Sequence, residues 1–277
     1  MTAPMDQRAE HGDAIDEAPD STGSKVTRVL GTISLIGMAL VIPLGLVWTP
    51  ADSRQGDAVR LLYVHVPSAW LMYLSVIAVV VGGVMYLWKG SQFWDLVGEA
   101  GAEVGVLFCS TTLISGMLWG RPIWGAYWVW DARLTSTALL LVLLIGCVAL
   151  RRTTFDLESR RRRSAWLGLS LLPNAIIIHY AVDWWRSLHQ TATIRPTGAE
   201  IEGLMLFTWI LAGVIFMVIW VWMMIHRFRI AYLTEQLDVY GRSVALEERR
   251  AEAEPLAATP GASGADEVSV DNGGRHG

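Results

Sequence analysis

Charge is scarce in this chain of 277 residues. Asp, Glu, Lys and Arg make up 17% of it, against roughly a quarter in an average soluble domain. Hydrophobic residues make up 53%, which argues against an ordinary soluble enzyme and against disorder for most of the length. The net charge of −4 is small and does not suggest nucleic acid. Cysteine is nearly absent. Cys109 and Cys147 both lie in apolar runs; they cannot form a CxxC pair or a disulfide framework, and they read as small buried hydrophobes. No GxxxxGK[ST] phosphate loop occurs, so ATP hydrolysis by this chain is not expected. Internal repeats and a second folded domain are also missing.

What the chain has in abundance is uninterrupted apolar sequence. Six stretches carry no Asp, Glu, Lys or Arg: 29–51, 61–88, 104–120, 134–150, 164–182 and 203–225. Each is near or above the roughly 17–25 residues that a spanning helix needs. Period-2 alternation is absent, and backbone groups in lipid must be paired within their own segment, so the runs are helices rather than strands. The predicted fold class is an all-α integral membrane protein with six transmembrane helices. The first run has too long an apolar core, and too polar a stretch before it, to be a cleaved signal peptide.

Lys and Arg near the span ends give the orientation. Arg54, Arg60, Arg121, Arg133, Arg186 and Arg195 lie in the odd-numbered loops, six in all. The opposite side has eleven, among them Lys25, Arg28, Lys89, Arg151, Arg152 and the run Arg160 to Arg163. Both termini are therefore expected in the cytoplasm, with loops one, three and five outside. The Arg160–Arg163 run reads better as a topology determinant than as a patch for an acidic partner. Three parts are expected: a disordered cytoplasmic head at 1–24, a six-span membrane domain at 25–232 and a mostly disordered polar tail at 233–277. A short helix continuing span six through 228–250 is left open.

The outward loops are where the pattern becomes specific. Loop one ends in Arg60-Leu61-Leu62-Tyr63-Val64-His65-Val66-Pro67. Loop three runs from Trp119 through Trp124, Tyr127, Trp128, Trp130 and Asp131 to Arg133. Loop five holds Asp183-Trp184-Trp185-Arg186-Ser187-Leu188-His189-Gln190. Of the chain's 14 Trp, most fall on the outer side. An interfacial belt would be roughly even, so the cluster reads as a built aromatic platform, suited to stacking on a flat apolar ring system. His65 and His189, taken as solvent-facing on flexible loops, share that face. A pair of neutral imidazoles flanking aromatic rings fits the axial ligands of a haem iron. No cysteine on that face can supply a thiolate, and zinc would need a third protein ligand. Arg60, Arg121 and Arg133 could bind haem propionates through bidentate forks or hold structure, the two being nearly even. Asp131 reads better as a structural clamp to Arg133 or Arg121. His179, inside span five, is read as a neutral helix-packing residue ahead of a functional one. His226 is read as interfacial. Glu99 and Glu103 are read as marking the cytoplasmic end of span three ahead of contacting a partner subunit.

The segment Trp119–Arg133 resembles the tryptophan-rich signature of haem-handling proteins in cytochrome c biogenesis. Tyr63-Val64-His65-Val66-Pro67 and Trp184-Trp185-Arg186-Ser187-Leu188-His189-Gln190 are similar to the two histidine loops of one branch, the haem exporter protein C family of the system I maturation pathway. The resemblance covers roughly 26–230. Tyr127 departs from it, standing where the family usually has Trp. The resemblance implies a protein of the cell inner membrane that binds b-type haem transiently, as cargo, at the periplasmic face. His65 and His189 are then the axial and metal ligands. Trp119, Trp124, Trp128, Trp130 and Asp131 form the platform and docking surface, with Tyr127, Arg60 and Arg133 also at the haem. The implied partners are a membrane-anchored haem chaperone, a two-component ATP-binding-cassette transporter and a small single-span subunit.

No turnover chemistry is expected. The alternative from a different class is a membrane haem/quinol redox enzyme or a cytochrome c haem-ligating synthetase subunit. Such a dihaem protein needs paired histidines within its helices, and His179 stands alone well inside a span. A solute transporter would carry membrane-buried charges along a path, and the six runs have essentially none away from their ends.

Overall fold

The computed structural model describes residues 23–153, 156–189, 194–195, 198–199 and 203–257. The expected disordered head up to residue 22, and the tail from 258 onward, lie outside the described residues.

Helix α1 (Lys25–Pro43) starts at a capping box. The Ser24 hydroxyl accepts from the Thr27 N–H at 3.2 Å, and the Thr27 hydroxyl accepts from the Ser24 N–H at 2.8 Å, pairing two donors the helix itself cannot satisfy. Pro43 has no amide hydrogen to give, and one wider π turn, Leu44–Trp48, follows it. A 3-10 turn, Asp57–Leu61, leads into α2 (Leu62–Lys89), which stops at Gly90 in the left-handed region, φ 64°. Helix α3 (Gln92–Trp124) stops the same way at Gly125, φ 77°. Helix α4 spans Ala132–Thr153. Helix α5 (Leu157–Leu169), capped by Asp156, passes through Ser170 into α6 (Leu171–Trp184). Strands β1 (Ile194–Arg195) and β2 (Gly198–Ala199) pair antiparallel before α7 (Gly203–Ala257).

Six helical stretches are long and apolar enough to cross a membrane: Lys25–Trp48, Asp57–Lys89, Gln92–Trp124, Ala132–Arg152, Leu157–Trp184 and Gly203–Ala251. The all-α membrane architecture is therefore the one the apolar runs predict. Small residues set a close backbone contact. A Cβ on Gly82 would lie 2.7 Å from the backbone of both Trp94 and Gly98, so α2 and α3 touch backbone to backbone. Leu71, Met72, Leu140, Leu144 and Leu171 form the buried core between α2, α4 and α6. Helix α7 packs on this core through Trp220, whose indole N–H donates to the Ser75 hydroxyl at 2.8 Å. It meets α1 where Ile215 fills the space over Gly37.

The helices overrun the charge-free runs, and paired charges are the reason. Helix α3 begins at Gln92, so Asp95, Glu99 and Glu103 are helical, one turn apart on one face. Arg151 of α4 grips Asp95 with two bonds of 2.7 Å and Glu99 at 2.6 Å. Arg161 of α5 reaches Asp95 at 3.3 Å, and Arg227 of α7 reaches Glu103 at 2.7 Å. Glu99 and Glu103 are thus more than end markers, and Arg161 turns inward to an ion pair. At its other end α3 runs to Trp124, so the first part of the expected loop three is helix.

The chain divides into two compact units, Met1–Tyr232 and Leu233–Gly277. The first carries the helical bundle. The second, where described, is the helical stretch 233–257, mostly exposed through residue 251.

Candidate functional site

Loop one is organised by Asp52. Its carboxylate accepts from the Arg54 N–H at 2.8 Å and the Gln55 N–H at 2.7 Å, closing a tight turn. The Gln55 and Arg54 amides hold the Asp52 carboxyl below the usual carboxylate range. Gln55, so fixed, accepts the Trp119 indole N–H at 2.9 Å. Trp119 in turn stands edge-on to His65, with ring centroids 5.6 Å apart at 80°.

His65 is on the first turn of α2, not on a loop, and it is partly buried rather than solvent-facing. Its Nδ1 lies 3.1 Å from the Ser115 hydroxyl. That hydroxyl has one proton, and it is directed to the Thr111 carbonyl at 2.6 Å. Ser115 Oγ is therefore the acceptor and His65 Nδ1–H the donor. Nδ1 is then engaged, and Nε2 is the nitrogen left to ligate a metal. Gly116 leaves the ring its space, because a Cβ there would sit 2.9 Å from His65 Cε1.

His189 comes from the segment after α6, and Asp131 brings it in. One Asp131 oxygen accepts the Leu134 N–H at 3.0 Å, capping α4. The other accepts the Ser187 hydroxyl and, at 3.2 Å, the Leu188 N–H. Asp131 is thus the clamp expected of it, with Ser187 and Leu188 as partners instead of an arginine. Burial pushes its carboxyl up, but the Ser187, Leu134 and Leu188 donors and nearby His189 bring it below the usual range. His189 Nδ1 is buried without a hydrogen bond, 3.9 Å from the Asp131 oxygen that also takes the Leu134 N–H. Burial, with Arg133 adding to it, lowers the His189 pKa to about 4. The ring is therefore neutral at physiological pH. Among the described residues no set of three His, Cys, Asp or Glu could hold a metal ion.

The aromatic residues divide into pairs. Trp124 stands edge-on to His189 at 5.1 Å and 64°, as Trp119 does to His65. Trp128 and Trp130 meet each other at 5.6 Å and 82°. These rings are edge-on and do not make one flat sheet. Trp130 is 85% exposed, and Tyr127 is exposed beneath the Arg121 guanidinium, 5.6 Å from its ring. The arginines are tied to backbone. Arg60 binds Asp57 at 3.0 Å and the carbonyls of Gly45 and Leu46. Arg121 binds the Gly125 carbonyl at 2.7 Å. Arg133 donates to the carbonyls of Ile178 at 3.2 Å and His179 at 3.0 Å. His179 itself is exposed on α6 rather than buried, with its ring edge-on to Tyr73 of α2.

The structure therefore brings His65, Trp119, Trp124, Asp131, Arg133 and His189 to one end of the bundle. Trp128, Trp130 and Tyr127 lie on the α3–α4 connection beside them. Reading the sequence missed Gln55, Ser115, Gly116 and Ser187. Ser115 had a signal, since it is four residues before Trp119 and so on the same helix face.

The family model described as heme exporter protein C matches residues 17–240. The heme exporter protein C of Haemophilus influenzae is 33% identical over 213 residues, 76% of this chain and 86% of that one. That of Escherichia coli (strain K12) is 38% identical over 163 residues, 57% of this chain and 66% of that one. That of Bradyrhizobium diazoefficiens is 40% identical over 157 residues, 54% of this chain and 57% of that one. With the family model matched from before the first span into the last, and six spans in place, the chain belongs to the heme exporter protein C family.

Proposed function

We propose that this protein binds haem as cargo between His65 and His189 and presents it for cytochrome c maturation. The observation that carries this reading is the pair of imidazoles. Two rings distant in sequence meet at one end of the bundle, each with Nδ1 facing an acceptor oxygen, of Ser115 and of Asp131. That arrangement leaves both Nε2 atoms for iron. His189 Nδ1 stops short of Asp131 at 3.9 Å; ligation that drew the ring in would close that bond.

Trp119 and Trp124 wall the two ligands, and exposed Trp130, Tyr127 and partly buried Trp128 extend the apolar surface. Arg133 uses two of its five N–H donors on carbonyls, leaving three for a propionate. Arg60 offers a second cation, and Asp131 holds the His189 segment.

The excess of Lys and Arg at the opposite end supports an outer, periplasmic position for the site in the cell inner membrane. The head and the polar tail are then cytoplasmic. The protein does no turnover chemistry; it holds a cofactor and orients its edge. The partners are a membrane-anchored haem chaperone, a two-component ATP-binding-cassette transporter and a small single-span subunit. In this reading b-type haem visits and leaves. The test is an absorption spectrum of the detergent-purified chain with added haem. A six-coordinate bis-imidazole spectrum is expected, lost in His65→Ala and in His189→Ala. Retention of that spectrum in the double variant refutes the assignment.

A further inference from the structure

His179 is unused by this reading, and its setting is unusual. It lines an open apolar groove of about 410 Å³ between α2 and α6, with Tyr73, Val76, Ile77, Ile176 and Tyr180. The groove opens on the lipid-facing surface, where Ile77 and Ile176 are exposed. Volumes of several hundred Å³ suit a small-molecule ligand. The His179 ring stands edge-on to Tyr180 at 4.8 Å and Tyr73 at 6.3 Å, and its side chain shows no hydrogen bond among the described residues. A polar ring facing hydrocarbon without a partner is costly, and such residues usually serve a ligand.

Two features join this groove to the His65–His189 site. The first is a run of rings up α6. Tyr180 stacks on Trp184 at 5.2 Å and 17°, Trp184 meets Trp185 at 5.8 Å, and the segment reaching His189 follows. His179 precedes Trp184 by five residues, roughly 7–8 Å along the helix. The second is Arg133, which is bonded to the carbonyls of Ile178 and His179 while its charge bears on His189. One guanidinium thus stands between the groove and the site. An occupant with a flat apolar body, carboxylates at one edge and an affinity for imidazole satisfies all of these features.

Resting on the reading above, we infer that the α2–α6 groove is a lateral membrane portal, where His179 receives haem from the outer leaflet before it passes to His65 and His189. The imidazole binds iron through a nitrogen lone pair, and the transfer exchanges one imidazole for another with no change of oxidation state.

The test uses the full chain in phosphatidylcholine nanodiscs and two haem donors, haemin-doped phosphatidylcholine vesicles and haemin on albumin. The readout is the rate at which the bis-imidazole spectrum appears. His179→Leu and the groove-filling Ile176→Trp are each expected to slow capture from vesicles about tenfold. Capture from albumin and the final spectrum should not change. Unchanged vesicle capture in both variants overturns the portal, as does equal slowing from both donors. Prevention of haem capture by a short-chain quinone in the vesicles would mark a quinone site and also overturn it. His65→Ala/His189→Ala is expected to keep a weaker, high-spin, mono-imidazole haem that disappears when His179→Leu is added. If that double variant keeps the six-coordinate spectrum, the reading of the two-histidine site fails, independently of the vesicle kinetics.

Discussion

A single hydroxyl proton sets the chemistry of His65. Because Ser115 spends its proton on the Thr111 carbonyl, it can only accept from the imidazole. Ser115→Ala removes that acceptor and is expected to weaken haem binding about 10- to 100-fold, the usual effect of losing a second-sphere partner. Ser115→Thr keeps the oxygen and should rescue binding. Titrated haem absorption checks both, with the ligand spectrum as the readout a purely structural role would leave unchanged. His189 gives a pH prediction. Its pKa is depressed from 6.5 to about 4, so the unfolded chain binds a proton there before the folded site does. The site's contribution to stability is present above pH 6.5 and lost as pH falls toward 4. Haem affinity should stay level down to about pH 5 and drop below it. A midpoint near 6.5 in a pH titration of binding would contradict that assignment.

At the level of elements, α4 and the segment after α6 are joined by one carboxylate. Asp131 caps α4 through the Leu134 N–H and holds Ser187 and Leu188. Asp131→Ala should cost about 1 kcal/mol in the cap alone and also release His189. Faster proteolysis after Trp185, together with weaker haem binding, is the expected result. Asp131→Asn keeps a cap but loses the charge beside His189, and should fall between. The α2–α3 contact is less forgiving. A Cβ at Gly82 meets backbone atoms of Trp94 and Gly98 at 2.7 Å, and backbone cannot rotate aside. Gly82→Ala is expected to destabilise the bundle by about 1–3 kcal/mol, measured by thermal unfolding in detergent.

Across the whole molecule the two ends of the bundle are built differently. One end holds aromatic rings and the two histidines His65 and His189. The other holds Asp95, Glu99 and Glu103 stacked along α3 and paired with arginines from α4, α5 and α7. Arg151 is buried between two carboxylates, so Arg151→Met strands both of them. A loss of about 3–5 kcal/mol is expected, seen as a lower unfolding temperature with an unchanged haem spectrum in the protein that remains folded. Asp95→Leu/Arg151→Met should recover part of it, since apolar replacement of a whole buried pair is often neutral.

The sequence alone determined the number of spans, their helical character and the residue types gathered at one end. Continuous apolar length decides the first two, because backbone in lipid has no solution but self-pairing. Alternation of the chain across the bilayer decides the third. Only the tertiary structure decided which atoms face which. Asp131 turned from an arginine partner to Ser187, His65 moved from a loop onto a helical turn, and the Trp rings stood edge-on. Charge-free runs understated α3 because a carboxylate paired with Arg151 or Arg227 need not end a helix. His179 came to face outward because its place is set by how α6 rotates against α2 and α4. Rotation of that kind depends on which small residues and bulky side chains interlock between helices, which no single segment encodes.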